Sequence, residues 1–381
     1  MNILSLFDGK SSGFTACELA GIEVGTYYSA EIDKYAIKVS DAIHPNQTRL
    51  GSVTEWRDWD IDWSSIDMIF GGFPCQAWSM AGKQLGDKDE RGMLFWTMLD
   101  IMKHVRHHNP KADFLIENVK MKKEFEEYIT YHMENAVGDV HKILINSALV
   151  SAQNRNRYYW TSWECTQPED RGVMLADVID ESCSDIQSEG WHDWWDKNKD
   201  FQVKKSYCAI CNDGSTQKAI CMTARQYASW NGNFLIIQRP RGNNSGGVRA
   251  VDGKTPTLSA NSWEHNNHLA FKDNQVVSIT NYKGRSKENI LKNSKTIHEK
   301  SVALCGNSNI TGSGVTPLDM GDGLHYRKLT PRECFRLQTT PEHYIDKILD
   351  CGVSNTQLYK IAGNGWTDEV IAHILRENKN G

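Results

Sequence analysis

No stretch of this 381-residue chain carries the roughly 18 consecutive apolar residues that a membrane span needs. Nor does a basic run precede the first apolar segment, so the expectation is a protein that is neither secreted nor membrane-spanning. The 10 cysteines lack regular spacing. Cys208 and Cys211 form one CxxC pair, but no second pair and no HxxxH follows it, so no metal site is expected. The cysteines read as the free thiols of a cytosolic protein. There is no internal repeat and no low-complexity tail. There is also no overall positive charge: the net is −5, a weak argument against a nucleic-acid partner.

That mean hides an asymmetry. Residues 201–330 hold 17 Lys+Arg against 8 Asp+Glu, a net of +9, which leaves −14 for the remainder. Residues 164–200 alone hold 11 acids and 3 bases. A basic segment on an acidic body suits either a localised polyanion contact or a solvated lysine-rich surface.

Residues 1–160 alternate short apolar runs with helical spacing. Strands are expected over 3–7, 24–30, 66–70 and 114–116, and helices from near residue 14, over 34–43, 92–106 and 122–137. A βαβα alternation implies a parallel, doubly wound sheet with helices on both faces and a ligand crevice at the strands' carboxyl ends. The pattern changes after residue 163. Residues 201–325 are rich in Asn, Gly, Ser and Lys, with strand candidates only at 234–237 and 275–279. Helical character returns at 329–337 and 368–376. The expected division is a catalytic domain of 1–180 plus 326–381 and a loop-rich, mostly β domain over 181–325.

Four segments carry candidate chemistry. Phe7-Asp8-Gly9-Lys10-Ser11-Ser12-Gly13 lies between a strand and a helix, where glycines admit a ligand to the backbone and the helix N-terminus favours an anion. Glu31 ends the second strand, where a carboxylate can accept both hydroxyls of a ribose. Gly71-Gly72-Phe73-Pro74-Cys75-Gln76-Ala77-Trp78-Ser79 puts a cysteine on a turn after a buried strand. A free thiol is only about 3% ionised at neutral pH, so a nucleophilic Cys75 needs local help. Its bland reading is a buried small hydrophobe. Glu117-Asn118-Val119 closes a further strand, and an acid there must be paired or solvated. Finally, alternation places Gln153, Arg155 and Arg157 on one face of a strand, suited to Glu117 and to an anion or base edge.

In this order, the segments resemble the DNA cytosine C5-methyltransferases over nearly the whole chain. Further matching segments are Arg91–Phe95 (RGMLF), Arg327-Lys328-Leu329-Thr330-Pro331-Arg332-Glu333-Cys334 with Arg336-Leu337-Gln338, and Gly363-Asn364. Lys254-Thr255-Pro256-Thr257-Leu258 resembles an element of that family's target recognition domain.

The resemblance implies a Rossmann-like methyltransferase fold that uses S-adenosylmethionine and acts on double-stranded DNA, as a monomer in the cytoplasm of a bacterium or of a phage's host. A companion restriction enzyme is a feature of some members. The implied catalytic residues are Cys75, Glu117, Arg155 and Arg157. Cys75 would add to cytosine C6 and so make C5 nucleophilic, while Glu117, held protonated as burial favours, would donate to N3. Arg155 and Arg157 would hold the base and the acid, with Arg157 on the base carbonyl. The base must first be flipped out of the duplex. Implied cofactor contacts are Phe7, Asp8, Gly9, Lys10, Gly13, Glu31, Ile32 stacked on adenine, Ser52, Pro74, Asn364 and Trp366. Implied substrate contacts are Phe73, whose carbonyl would accept from the exocyclic amine, with Gln76, Ser79, Gln153, Arg225 and Thr257.

Three positions depart from the family pattern: Ser52, where an acid for the adenine amine is usual, Lys10 and Gly365-Trp366. The expectation is that Lys10 points to solvent. The sharper alternative is a buried lysine that selects carboxy-S-adenosylmethionine and so yields carboxymethylcytosine. Three rival functions are a catalytically silent DNA-binding protein, an RNA cytosine methylase and a folate-dependent nucleotide methylase. The intact Cys75, Glu117, Arg155 and Arg157 oppose the first, the basic segment the second, and the glycine loop with Glu31 the third.

Overall fold

The structure, a computed structural model, describes residues 1–74, 92–179, 218–222 and 329–378, together with the backbone of short strands between 208 and 328. The chain forms two compact units. One comprises Met1–Met174, Lys218–Asn231 and Thr330–Gly381, the other Leu175–Gln217 and Gly232–Leu329. Among the described residues no helix is long and apolar enough to cross a membrane.

The first unit is built on a seven-stranded sheet of order β3-β2-β1-β4-β5-β8-β6. Its strands are β1 (Ile3–Leu6), β2 (Tyr27–Ala30), β3 (Thr48–Arg49), β4 (Met68–Gly71), β5 (Asp113–Val119), β6 (His141–Asn146) and β8 (Asn156–Thr161). β7 (Gln153–Asn154) lies outside that sheet and pairs with β10 (Ala219–Ile220). The first five strands run parallel, and β8 is antiparallel to both β5 and β6. The chain winds outward from β1 through β2 and β3, then returns to β4 on the other side of β1. That reversal opens a crevice at the carboxyl ends of β1 and β4.

Side chains alternate between two core layers, as strands covered on both faces require. Leu4, Leu6, Ile69, Phe114 and Ile116 pack with Phe95, Met98 and Met102 of α3 (Met93–His108) and with Ile129 and Met133 of α4 (Lys123–Val137). Ile3, Met68, Phe70 and Leu115 pack on the opposite face with Ala16 and Cys17 of α1 (Ser12–Ala20). The same layer holds Val370, Ile371 and Ile374 of α8 (Asp368–Arg376), so the chain's last helix shares a layer with its first. Between α4 and α8 come α5 (Pro331–Leu337), α6 (Glu342–Asp350) and α7 (Asn355–Asn364), while α2 (Lys34–Ile43) follows β2. α5 starts at a capping box: Thr330 accepts from the Glu333 amide, and the Glu333 carboxylate accepts from the Thr330 amide.

The expected strands and helices of the first unit are present, with shifted ends. β2 begins at Tyr27 because the amides before it turn away, Gly25 to the Met1 carbonyl and Thr26 to the Asn2 side chain. β5 runs on to Val119 because β8 pairs with it as far as Val119–Arg157. In the second unit β9 (Cys208–Cys211), β11 (Gly232–Gln238), β12 (Gly247–Val248) and β16 (His325–Lys328) form one sheet, and β13 (Phe271–Lys272), β14 (Gln275–Ser278) and β15 (Lys295–His298) another. The CxxC pair spans β9.

One ion pair links the beginning of the first unit to its end. Lys10, in the loop after β1, is fully buried and donates from Nζ to both oxygens of Asp368, at 2.9 and 2.8 Å. Asp368 Oδ2 also accepts from Thr340 at 2.9 Å. The expected solvent-directed Lys10 is therefore wrong. The first turn of α8 brings a carboxylate 358 residues away in sequence, and only such a partner makes a buried ammonium tolerable.

Two stability predictions follow from this packing. Replacing Lys10 by methionine leaves Asp368 charged and unpaired, so urea unfolding of Lys10→Met should show a loss of about 3–5 kcal/mol. The double variant Lys10→Met/Asp368→Leu should recover most of that loss, since a buried pair is readily replaced by apolar groups. His44 offers a pH test. It is buried, stacked on Phe14 and hydrogen-bonded to Thr15, and burial lowers its pKa to about 3. The unfolded chain takes up this proton near pH 6.5 and the folded one does not, so stability present above 6.5 is lost as pH falls toward 3. The slope is about 1.4 kcal/mol per pH unit. His44→Gln should remove that contribution from the acid side of the stability profile.

Candidate active site

The crevice begins with a strained loop. Phe7, Gly9 and Ser11 have φ of 58°, 60° and 62°, a left-handed conformation at alternate residues that only Gly9 adopts without cost. Asp8 holds the loop from below. Its buried carboxylate accepts from Ser5 at 2.6 Å, Tyr27 at 2.7 Å and Ser11, and burial raises its pKa despite these bonds. Ser11 therefore does not cap α1 with its side chain, which leaves the first turn of α1 free of a side-chain cap. Gly13 is required by packing, since a Cβ there would collide with the Phe70 ring. Above Gly9 there is open space.

Glu31 faces this loop. One of its oxygens accepts from the Gly9 amide at 2.8 Å and the other from the amides of Ile32 and Asp33, each at 2.8 Å. Ile32 is 76% exposed, an apolar side chain standing beside that carboxylate. Ser52 caps the short 3-10 helix after β3 through the Thr54 amide. A hydroxyl acceptor, an apolar platform, open space over glycine and an uncapped helix start fit an adenosine bearing an amino-acid tail.

The second cluster follows β4 and β5. Phe73 is buried against Phe95, and its carbonyl accepts from the Asn118 side-chain amide at 3.0 Å, fixing the turn before Pro74. Glu117 is buried and pairs with Arg157, Nε to Oε1 at 2.9 Å. A Cβ on Gly72 would come 3.6 Å from Glu117 Oε2 and 3.1 Å from Trp366 Nε1, so glycine lets the acid and the indole approach the same turn. Arg155 does not reach a carboxylate among the described residues. Its guanidinium donates to the carbonyls of Met222 at 3.1 Å, Gly363 at 3.3 Å and Gly365 at 2.8 Å. Both arginines also point at Cys221, Arg155 from 3.5 Å and Arg157 from 3.7 Å.

The chain's end closes the crevice. Gln338 donates to the carbonyls of Ala362 and Gly365, at 2.6 and 3.2 Å, and Gln153 donates to that of Leu337 at 3.3 Å. Gln153 also accepts from the Met222 amide at 2.9 Å. Asn364 is exposed at the end of α7, and Trp366 packs edge-on to Phe70.

The structure thus brings Phe7, Asp8, Gly9, Lys10, Gly13, Glu31 and Ile32 together in the first cluster. It brings Phe73, Glu117, Arg155, Arg157, Gln153 and Trp366 together in the second. Cys75, Gln76, Ser79, Arg91, Arg225 and Thr257 lie outside the described residues. Sequence reasoning overlooked Asn118, although it sits within the ENV segment. It also overlooked Asp368 and Cys221, for which no local signal exists.

Comparison with known proteins assigns the chain. The family model described as C-5 cytosine-specific DNA methylase matches residues 1–380. Orphan methyltransferase M.SPRI of Bacillus phage SPR is 26% identical, with 99% of this chain and 97% of that protein covered. Type II methyltransferase M1.ScrFI of Lactococcus lactis subsp. cremoris is 39% identical over 40% of this chain and 38% of its own. Among solved structures, a DNMT2 mutant of Spodoptera frugiperda matches with a TM-score of 0.58 at 18% identity, covering 98% of each chain, and supports the fold. With the glycine loop, strand-end acid and arginine-paired glutamate in the order that family requires, the chain belongs to the C-5 cytosine-specific DNA methylases, enzymes that transfer a methyl group from S-adenosylmethionine to cytosine in DNA.

Proposed function

We propose that the chain methylates C5 of a flipped-out cytosine in duplex DNA through a covalent adduct of Cys75. The observation that carries this reading is the Glu117–Arg157 pair beside Gly72, three residues before Cys75 in sequence. Cytosine C5 is too weak a nucleophile to accept a methyl group directly. The Cys75 sulfur forms a bond to C6, and the displaced ring electrons move toward N3. Glu117 gives N3 its proton, and the resulting enamine is nucleophilic at C5. Bound S-adenosylmethionine supplies an electrophilic methyl group. C5 would take that methyl as its bond to the donor's sulfur breaks; loss of the C5 proton to a base and return of the N3 proton to Glu117 then restore the C5–C6 double bond, break the C6–sulfur bond and release Cys75. Arg157 orients Glu117, and Arg155 ties the Met222, Gly363 and Gly365 carbonyls around it.

In this reading Glu31 holds the ribose, Ile32 the adenine, and the loop through Gly9 and Gly13 the methionine part, with Ser52, Pro74, Asn364 and Trp366 lining the rest. Lys10 acts from below the loop. Its ammonium is already matched by Asp368, which opposes a carboxylated donor and favours the ordinary one. The second unit, with the basic segment, is the target recognition domain, where phosphate contacts supply affinity and base-edge contacts choose the site. Thr257 of this unit and Arg225, in the segment Lys218–Asn231 of the first, are candidates for DNA contacts. A monomer in the bacterial cytoplasm completes the reading.

Nucleoside mass spectrometry on DNA from expressing cells tests it. Wild type should yield cytosine heavier by a methyl group, and Cys75→Ala none. A carboxymethyl mass would instead restore the carboxylated donor. No modified base from a folded, DNA-binding wild type would sink the enzymatic reading. Glu117→Gln should slow single-turnover methylation by about 10²–10⁴-fold, the usual worth of a positioned acid, while leaving DNA affinity close to wild type.

A further inference from the structure

Arg155 poses a problem of charge. Its side chain is only 3% exposed, and among the described residues no carboxylate lies within ion-pair distance of it. Its Nε has no hydrogen-bond partner, and its carbonyl acceptors are neutral. A buried guanidinium without a counter-charge is costly. Beside it Arg157 brings a second positive charge, and Glu117 supplies one negative charge for the two. The group that faces both arginines is Cys221, in the segment Lys218–Asn231 that folds with the first unit. The Cys221 sulfur receives Nη1 of Arg155 and Nη2 of Arg157. As a donor, among the described residues, it reaches only the Met222 carbonyl, at 3.4 Å, where Arg155 is already bound at 3.1 Å.

We infer that Cys221 is a positioning residue for the methyl transfer: its thiolate is the counter-ion that holds Arg155 and Arg157 together beside Glu117. This rests on the reading of Glu117 as the proton donor. Burial opposes ionisation of Cys221, but the two guanidiniums outweigh it and hold the thiol below its ordinary value. Among the described residues the other titratable group at this place is Tyr159, whose phenol burial keeps protonated, so it supplies no charge. With the thiolate present each guanidinium faces an anion, Arg155 the Cys221 sulfur and Arg157 both that sulfur and Glu117. Without it Arg155 keeps only neutral acceptors among the described residues, and the two guanidiniums lose the group that holds them side by side next to Glu117.

Two measurements test this on the full chain. The first is the pH dependence of iodoacetamide alkylation at Cys221, read peptide by peptide in the Cys75→Ser background so that the nucleophile does not interfere. The midpoint should lie clearly below about 8.5, the value of an ordinary thiol, and should rise in Arg155→Met. A midpoint at or above the ordinary value overturns the proposal. The second is single-turnover methylation by Cys221→Ser, which keeps size and hydrogen bonding but cannot ionise. Its rate should fall at least tenfold at pH 8 with unchanged DNA affinity, and should converge on the wild-type rate below the alkylation midpoint, where the wild-type thiol is uncharged too. A wild-type profile in Cys221→Ser overturns the proposal even if the thiol is acidic. If Glu117→Gln itself leaves the rate unchanged, the reading of Glu117 fails, while the alkylation result still decides whether Cys221 is ionised.

Discussion

A buried lysine sets the terms for the rest of this enzyme. Lys10 lies under the loop that follows β1, where no water can solvate its ammonium, so the fold must bring it a carboxylate. Asp368 meets that need from the first turn of α8. The consequence is topological. The first helix and the last share one core layer, although the second unit lies between them in sequence. The segment Gly363–Trp366 is then delivered to the crevice as a by-product of where α8 has to start. Gln338 and Arg155 complete the arrangement by holding the Gly363 and Gly365 carbonyls.

A second constraint comes from the antiparallel strand. In a purely parallel sheet β5 would end at the crevice with Glu117 exposed beyond it. β8 instead pairs antiparallel as far as Val119–Arg157, which buries Glu117 inside a ladder and sets Arg157 beside it. The strand that would continue this ladder is broken at Arg155, between β7 and β8. The break frees the Arg155 side chain to reach the three carbonyls and Cys221. Regular pairing thus fixes the acid, and a local interruption of it fixes the second arginine.

Much of this was legible in the sequence, for a definable reason. β1, β4 and β5 are largely apolar runs, with Gly71 closing β4 and Glu117 near the end of β5, and the loop from Phe7 to Gly13 sits between a strand and a helix. Those are local patterns, and the fold keeps them local. What escaped were pairings between distant segments. Nothing near Lys10 marks it as buried, because the group that allows burial is at the other end of the chain. The same holds for Cys221, whose two arginine neighbours lie more than 60 residues earlier. α6 escaped for another reason: its apolar face is only Tyr344, Ile345 and Ile348, too short a stripe to stand out among charged residues.

The two constraints meet at Gly72. Trp366 approaches that residue from the segment anchored by the Lys10–Asp368 pair, and Glu117 approaches it from the ladder of β5 and β8. A Cβ at position 72 would crowd the indole at 3.1 Å and touch the carboxylate at 3.6 Å. The crevice is therefore assembled by two supports, one ionic and buried below the glycine loop, one built on strand pairing, and Arg155 ties them by holding the Gly363 and Gly365 carbonyls. The indole and the arginine-paired acid accordingly reach one turn from two parts of the fold, and the glycine at their junction is what gives the indole room there.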